Sequence, residues 1–215
     1  MAGTTVADGG AVETSFVTAM LESGVAEDSA RMKAALDYVR VSMGQSKITV
    51  FRHLFDGDES TAQQANNRFE AAYSRAVDAG HVGPMPGAER ALAEMREIGM
   101  RVCLTTGFAP PTRDRILGVL GWESLVDLAL SPADAGRGRP FPDMILAAVI
   151  RLEIDDVRGV AAAGDTVSDL LSGTRAGAGV VAGVLTGAHD RATLETAPHT
   201  HILDSIADLP AVLRP

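Results

Sequence analysis

Val160-Ala161-Ala162-Ala163-Gly164-Asp165-Thr166-Val167-Ser168-Asp169 is the stretch that decides the fold. A short apolar run, Val160 to Ala163, ends in Gly-Asp-Thr, and a helical pattern follows from Ser168 to Ala176. That is a buried strand turning into a helix. Working outward, the alternation repeats. Val180 to Leu185 reads as a strand, His201 to Leu203 as a short last strand, and Ile206 to Leu213 as a closing helix. Towards the amino end, Arg101 to Leu104 reads as a strand, Thr112 to Leu120 as a helix, Leu125 to Leu130 as a weak strand and Pro142 to Leu152 as a helix. Such alternation predicts an α/β, Rossmann-like parallel sheet covered on both faces.

Ahead of the turn-rich Gly83-Pro84-Met85-Pro86-Gly87 the pattern changes. From residue 11 to residue 80 there is no strand signal. Val12, Phe16 and Met20 recur at helical spacing, Met32, Leu36 and Val39 mark a second helix, and Ser46 can cap a third that carries Ile48, Phe51 and Leu54. Thr61 to Ala79 reads as a fourth. An all-helical block inserted after the first loop implies a cap domain. The expected division is therefore 1–10 (first core motif and hinge), 11–82 (helical cap) and 83–215 (α/β core).

Composition narrows the function. In 215 residues, 46% are hydrophobic and 22% charged, as in ordinary globular proteins. The net charge is −9 and the pI about 5.0, which disfavours binding to nucleic acid or anionic membranes, since both need clustered Lys and Arg. No apolar run approaches the roughly 20 residues that span a bilayer. Residues 1–10 lack a signal-peptide pattern. Cys103 is the only cysteine, so no intrachain disulfide can form. A cytoplasmic enzyme is the expectation.

In such sheets ligands sit at the carboxyl ends of strands. Thr105-Thr106-Gly107, Gly164-Asp165-Thr166 with Asp169, the loop Gly136 to Asp143 with Arg139, and Gly3-Thr4-Thr5 all arrive there. Paired carboxylates suit a hard cation such as magnesium. Hydroxyls and N–H groups at a strand-to-helix turn suit phosphate oxygens, and a guanidinium matches phosphate with two hydrogen bonds. The chemistry these groups share is phosphoryl transfer. Each alone has a plainer role: turn residue, helix cap or solvated arginine. Their order and placement carry the functional reading.

Ala2-Gly3-Thr4-Thr5, Leu104-Thr105-Thr106-Gly107, Gly138-Arg139-Pro140-Phe141-Pro142-Asp143 and Gly164-Asp165-Thr166-Val167-Ser168-Asp169 together resemble the four motifs of the haloacid dehalogenase superfamily. Ala2 and Arg139, where most members have Asp and Lys, are similar to the phosphonatase-like branch around phosphonoacetaldehyde hydrolase. The resemblance implies a magnesium-dependent hydrolase of a small phosphonate or phosphate, working through an aspartyl-phosphate. In it Thr105 binds the transferring group, with Thr4, Thr106 and Gly107 completing the phosphate cradle. Arg139 stabilises charge, and Asp165, Asp169 and the Ala2 backbone carbonyl hold Mg2+. The resemblance also implies a homodimer through the cap.

Met43-Gly44-Gln45-Ser46-Lys47 is similar to that branch's Met-Gly-x-x-Lys, whose lysine forms a Schiff base with the substrate aldehyde. A cation in a helix's first turn opposes the dipole, which favours the neutral amine that imine chemistry needs. The plain alternative is a solvated lysine. In the family the nucleophilic aspartate directly precedes the residue matching Met1, behind a buried central strand. Neither is among these 215 residues, so the expectation is a sheet without its central strand and a chain inactive by itself, most simply because the start was placed inside the first motif. Asp8 is not accepted as a substitute nucleophile. Two other functions compete: a phosphomonoesterase with an idle Lys47, and a non-catalytic protein that binds phosphate or metal. Cys103 is read as a core hydrophobe, the five histidines as lacking metal-ligand spacing, and the aromatics as too scattered for a stacking platform.

Overall fold

The computed structural model describes residues 1–214. Four helices occupy the block after the first loop: α1 (Ala11–Glu22), α2 (Ala30–Val41), α3 (Lys47–Leu54) and α4 (Glu59–Asp78). No strand interrupts them. Their inward stripes meet in an aromatic cluster, with the Phe16 ring 4.9 Å from that of Phe51 and 4.6 Å from that of Phe69. All three are buried, and each such side chain stabilises by roughly 1.5–3 kcal/mol. The termini of α2 and α4 follow from local chemistry. Ser29 accepts from the Met32 N–H and Asp58 from the Thr61 N–H, which is N-capping.

Two short antiparallel strands, β1 (Val6–Ala7) and β2 (Gly83–Pro84), tie the two connections of this block together, pairing Val6 with Pro84. They are too short to leave a periodic signal, and the sequence reading did not include them.

The remainder alternates strands and helices. α5 (Ala88–Glu97) leads to β3 (Cys103–Thr105), then come α6 (Pro110–Leu120) and β4 (Leu128–Leu130). After α7 (Pro132–Ala135) and α8 (Asp143–Arg151) the chain runs through β5 (Ala161–Gly164), α9 (Val167–Ala176), β6 (Val180–Val184), α10 (Arg191–Leu194), β7 (His201–Leu203) and α11 (Leu209–Leu213). All these strands pair in parallel, as expected. Two expected strands shift. Arg101 to Leu104 becomes Cys103–Thr105, and Leu125 to Leu130 shortens to Leu128–Leu130 because Leu125 is bound in a turn to the Trp122 carbonyl.

The sheet is divided. β3 pairs with β4, and β5–β6–β7 form a second group. Between the facing edges of β3 and β5 lies a slot of about 360 Å³, lined by Cys103, Thr105, Ala161, Ala162 and Ala163 together with Met144 of α8. Small alanines on β5 leave this space unfilled. The thiol of Cys103 faces it half-buried, and burial pushes its pKa up to about 12, so it is a packing group rather than a nucleophile.

Candidate active site

The carboxyl ends of β3 and β5, the loop 1–5 and the loop after β6 converge beneath the amino end of α3. They enclose a cavity of about 290 Å³ lined by Ala2, Lys47, Thr106, Gly107, Arg139, Asp165 and Asp169, among others. Most of the sequence-predicted site residues are therefore brought together.

Asp165 leaves the end of β5 and is 5% exposed. Its Oδ1 accepts from the Thr4 hydroxyl at 2.7 Å and its Oδ2 from the Ala188 N–H at 3.0 Å. Gly3 and Gly187 lie against this carboxylate so closely that a Cβ on either would collide with it. Burial, then the charge of Asp169, raises the Asp165 pKa above the usual carboxylate range.

Asp169 sits in the first turn of α9 and forms a capping box with Thr166: the Asp169 N–H reaches the Thr166 hydroxyl, and the Thr166 N–H reaches Asp169 Oδ2 at 3.1 Å. Thr166 thus steadies the turn. The other Asp169 oxygen pairs with the Arg139 guanidinium. Burial works to raise the Asp169 pKa, but the Arg139 charge and the Thr166 hydroxyl outweigh it and hold the group below its usual value. Arg139 keeps one buried donor, Nε, without any acceptor. A buried unpaired guanidinium N–H beside two carboxylates leaves a place for an anionic oxygen.

Two expected phosphate ligands are placed differently. Thr105 lines the slot between β3 and β5, together with Arg139 and Asp169, while Thr106 and Gly107 line the cavity. Successive residues of a strand point to opposite faces, so only one of the two threonines can face the cavity. Thr4 is buried behind Asp165 and orients that carboxylate through its hydroxyl.

Lys47 is the first residue of α3, with Ser46 as its extended N-cap residue but without a side-chain cap bond. The lysine is 7% exposed. Its Nζ lies over three ring faces: Phe108 at 5.3 Å, Phe16 at 5.5 Å and Phe69 at 5.7 Å. Burial, then the Arg139 charge, pushes its pKa down to about 8. The helical block is seated on the core at this point by close backbone approach. The Lys47 N–H donates to the Gly107 carbonyl at 3.3 Å, and a Cβ on Gly107 would collide with the Gln45 carbonyl. Gly44 has φ +86 and packs on Thr166 with no room for a Cβ.

Sequence reasoning missed the aromatic cage, because its rings come from α1, α4 and the loop after β3. It also missed Thr186 to Ala188, where Thr186 donates to the Gly3 carbonyl at 2.7 Å and Ala188 holds Asp165. Leu185-Thr186-Gly187 at the end of β6 is another strand-end signal that the same rule would have found. Asp8 lines the cavity, but its oxygens accept from the Gly10 and Val12 N–H groups at 3.3 and 3.2 Å, capping α1.

Among the described residues no cluster of three or more His, Cys, Asp or Glu side chains is arranged for a metal. Magnesium is commonly held by one or two carboxylates with water and substrate phosphate making up the rest. Asp165 and Asp169 are hard oxygen donors, buried together, and the charge of each disfavours that of the other. Their chemistry fits such an ion.

The fold and this strand-end site define a haloacid dehalogenase-like hydrolase. The sequence matches that family over residues 1–177, and the chain belongs to it. A phosphonoacetaldehyde hydrolase from Bordetella pertussis is 30% identical, the match covering 99% of this chain and 88% of the relative. Similar solved structures are a hydrolase from Pseudomonas syringae (TM-score 0.84, 20% identity, 99% and 94% of the two chains) and a phosphonoacetaldehyde hydrolase-like protein from Oleispira antarctica (TM-score 0.83, 23% identity, 99% and 88%). No helix is long and apolar enough to cross a membrane.

Proposed function

We propose that the site acts on a small phosphonate bearing a carbonyl carbon, of the phosphonoacetaldehyde kind, and that Lys47 forms an imine with it. The observation that carries this is the position of Lys47: a buried amine over three aromatic faces, in the same cavity as Arg139, Asp165 and Asp169. A phosphomonoesterase has no use for a lysine there.

The chemistry follows from the residues. Neutral Lys47 attacks the carbonyl carbon. The new C–N bond forms, the carbonyl oxygen takes one proton from the nitrogen and one from solvent and leaves as water, and the product is a protonated C=N. The resulting C=N draws off the electron pair of the C–P bond when the phosphoryl group is transferred, leaving an enamine that takes up a proton. Arg139 meets the phosphoryl oxygens with its free Nε–H and balances their charge. Thr106 and Gly107 supply the phosphate loop. Asp165, Asp169 and the Ala2 carbonyl would hold Mg2+, which supplies charge neutralisation at the phosphoryl group when bound. The helical block acts as a cap that brings Lys47 to the core and keeps water from the imine.

The cavity carboxylates Asp8, Glu13, Asp165 and Asp169 are each held by a cap, an ion pair or fixed hydrogen bonds, so none is assigned as the phosphoryl acceptor. Imine formation does not depend on that group. Borohydride reduction in the presence of phosphonoacetaldehyde is therefore the test: a stable adduct on Lys47 supports the proposal, and its absence removes it.

A further inference from the structure

We propose that Glu70 is the buried counter-charge and positioning residue of Lys47. This rests on the reading of Lys47 as the imine-forming amine and deepens it.

Of the five buried side-chain atoms without a hydrogen-bond partner among the described residues, three lie on one stripe of α4: Asn66 Oδ1, Glu70 Oε2 and Tyr73 Oη. Their spacing of four and then three residues places them on the inward face. Orphaned buried polar atoms on a native core stripe call for a functional or solvent partner. Glu70 is fixed at one oxygen, which accepts from the Ala109 N–H at 3.0 Å. Ala109 follows Phe108, and Glu70 follows Phe69, and the rings of Phe108 and Phe69 are two of the three beneath Lys47 Nζ. The carboxylate is thus bracketed by the cage that holds the amine. Oε2 has no partner in hydrogen-bond geometry, although the Thr112 hydroxyl also acts on the carboxylate, while among the described residues Lys47 makes no ion pair and carries up to three donors. Ordered water shared by Glu70 Oε2, Tyr73 Oη and the amine would satisfy all three.

Other charged groups facing Lys47 are Arg139 from the α7–α8 loop, the Met1 amino group, Asp8 and Glu13 at the start of α1, Asp165 after β5 and Asp169 on α9. Arg139 opposes the ammonium. Among the acids, Glu70 has the largest influence on Lys47; burial raises the Glu70 pKa, opposed by the Thr112 hydroxyl, then the Ala109 N–H, then the Lys47 charge. Glu70 therefore keeps the amine from losing its proton too early, so that Lys47 is free just above neutrality yet can be protonated again between turnovers.

The chain has two lysines, Lys47 and the exposed Lys33, so titration of lysine side chains labelled at the ε-carbon gives two resolvable curves by NMR, with Lys33 as internal reference. In Glu70→Gln, which keeps an acceptor for Ala109, the Lys47 midpoint should fall by about one pH unit while Lys33 stays put. Reciprocally, Lys47→Met should raise the Glu70 midpoint in glutamate-labelled protein, which serves if Glu70→Gln does not fold. A Lys47 midpoint unmoved in Glu70→Gln, or a Glu70 midpoint unmoved in Lys47→Met, overturns the proposal. A wild-type Lys47 that titrates with Lys33 instead overturns the imine reading on which it rests.

Discussion

The guanidinium of Arg139 and the carboxylate of Asp169 are in direct ion-pair contact, with only 10% and 9% of their side chains exposed. One residue arrives on the loop before α8 and the other in the first turn of α9. The pair therefore locks Arg139 to the capping box that follows β5. Removing one partner of a buried pair leaves an uncompensated charge.

Asp169→Asn is therefore expected to destabilise by about 3–5 kcal/mol, because it strands Arg139 and weakens the Thr166 capping box. Chemical denaturation at pH 7 measures this. A loss below about 1 kcal/mol would mean that the pair is not held in solution as described.

Asp165→Asn should behave differently. Burial and the neighbouring Asp169 charge already disfavour ionised Asp165, and a folded-state pKa raised above its unfolded value means that stability falls as pH rises through that range. Asparagine removes this cost, so its stability at pH 7 should equal or exceed that of the wild type. Magnesium should raise the thermal midpoint of the wild type and leave Asp165→Asn unmoved. An equal rise in both would exclude Asp165 as a metal ligand.

Lys47 has a folded pKa of about 8 against an ordinary 10.5. Between those values the unfolded chain binds the extra proton, so stability should increase with pH across the window. A difference of that size corresponds to roughly 3 kcal/mol. Lys47→Met should be more stable than the wild type at pH 7, with the gap closing as pH approaches 10. A gap that is constant with pH would show that Lys47 is not titrating in a buried place.

Gly44→Ala places a Cβ at φ +86 against the Thr166 side chain. The left-handed conformation alone costs about 1–2 kcal/mol. Adduct formation at Lys47 should fall far more than global stability, because the strain lies where the helical block meets the core. Comparing adduct yield with the unfolding midpoint separates the two.

Much of this was legible in the sequence. Helical apolar spacing over residues 11–80 and short apolar runs alternating with helices after Gly87 separate the two parts of the chain, and strand-end reasoning singled out Arg139, Asp165 and Asp169. The threonines show its limit. The strand expected at Arg101 to Leu104 runs from Cys103 to Thr105, and of the two threonines expected to bind phosphate, Thr106 lines the cavity while Thr105 lines the adjoining slot with Arg139 and Asp169. The cage around Lys47 was invisible for another reason. Phe16, Phe69 and Phe108 each have a sufficient local explanation, as helix stripe or loop anchor, and only tertiary packing turns them towards one amine. The same holds for Glu70, which in sequence is one more charge on an amphipathic helix.

The central claim is that Lys47 is an imine-forming amine in a phosphoryl-transfer site. Its most direct test is borohydride trapping with phosphonoacetaldehyde followed by peptide mass spectrometry, carried out from pH 6 to 9. The expected result is a reduced adduct on Lys47 and none on Lys33, with yield rising as pH passes about 8. Equal labelling of both lysines, or none at Lys47 at any pH, would contradict it.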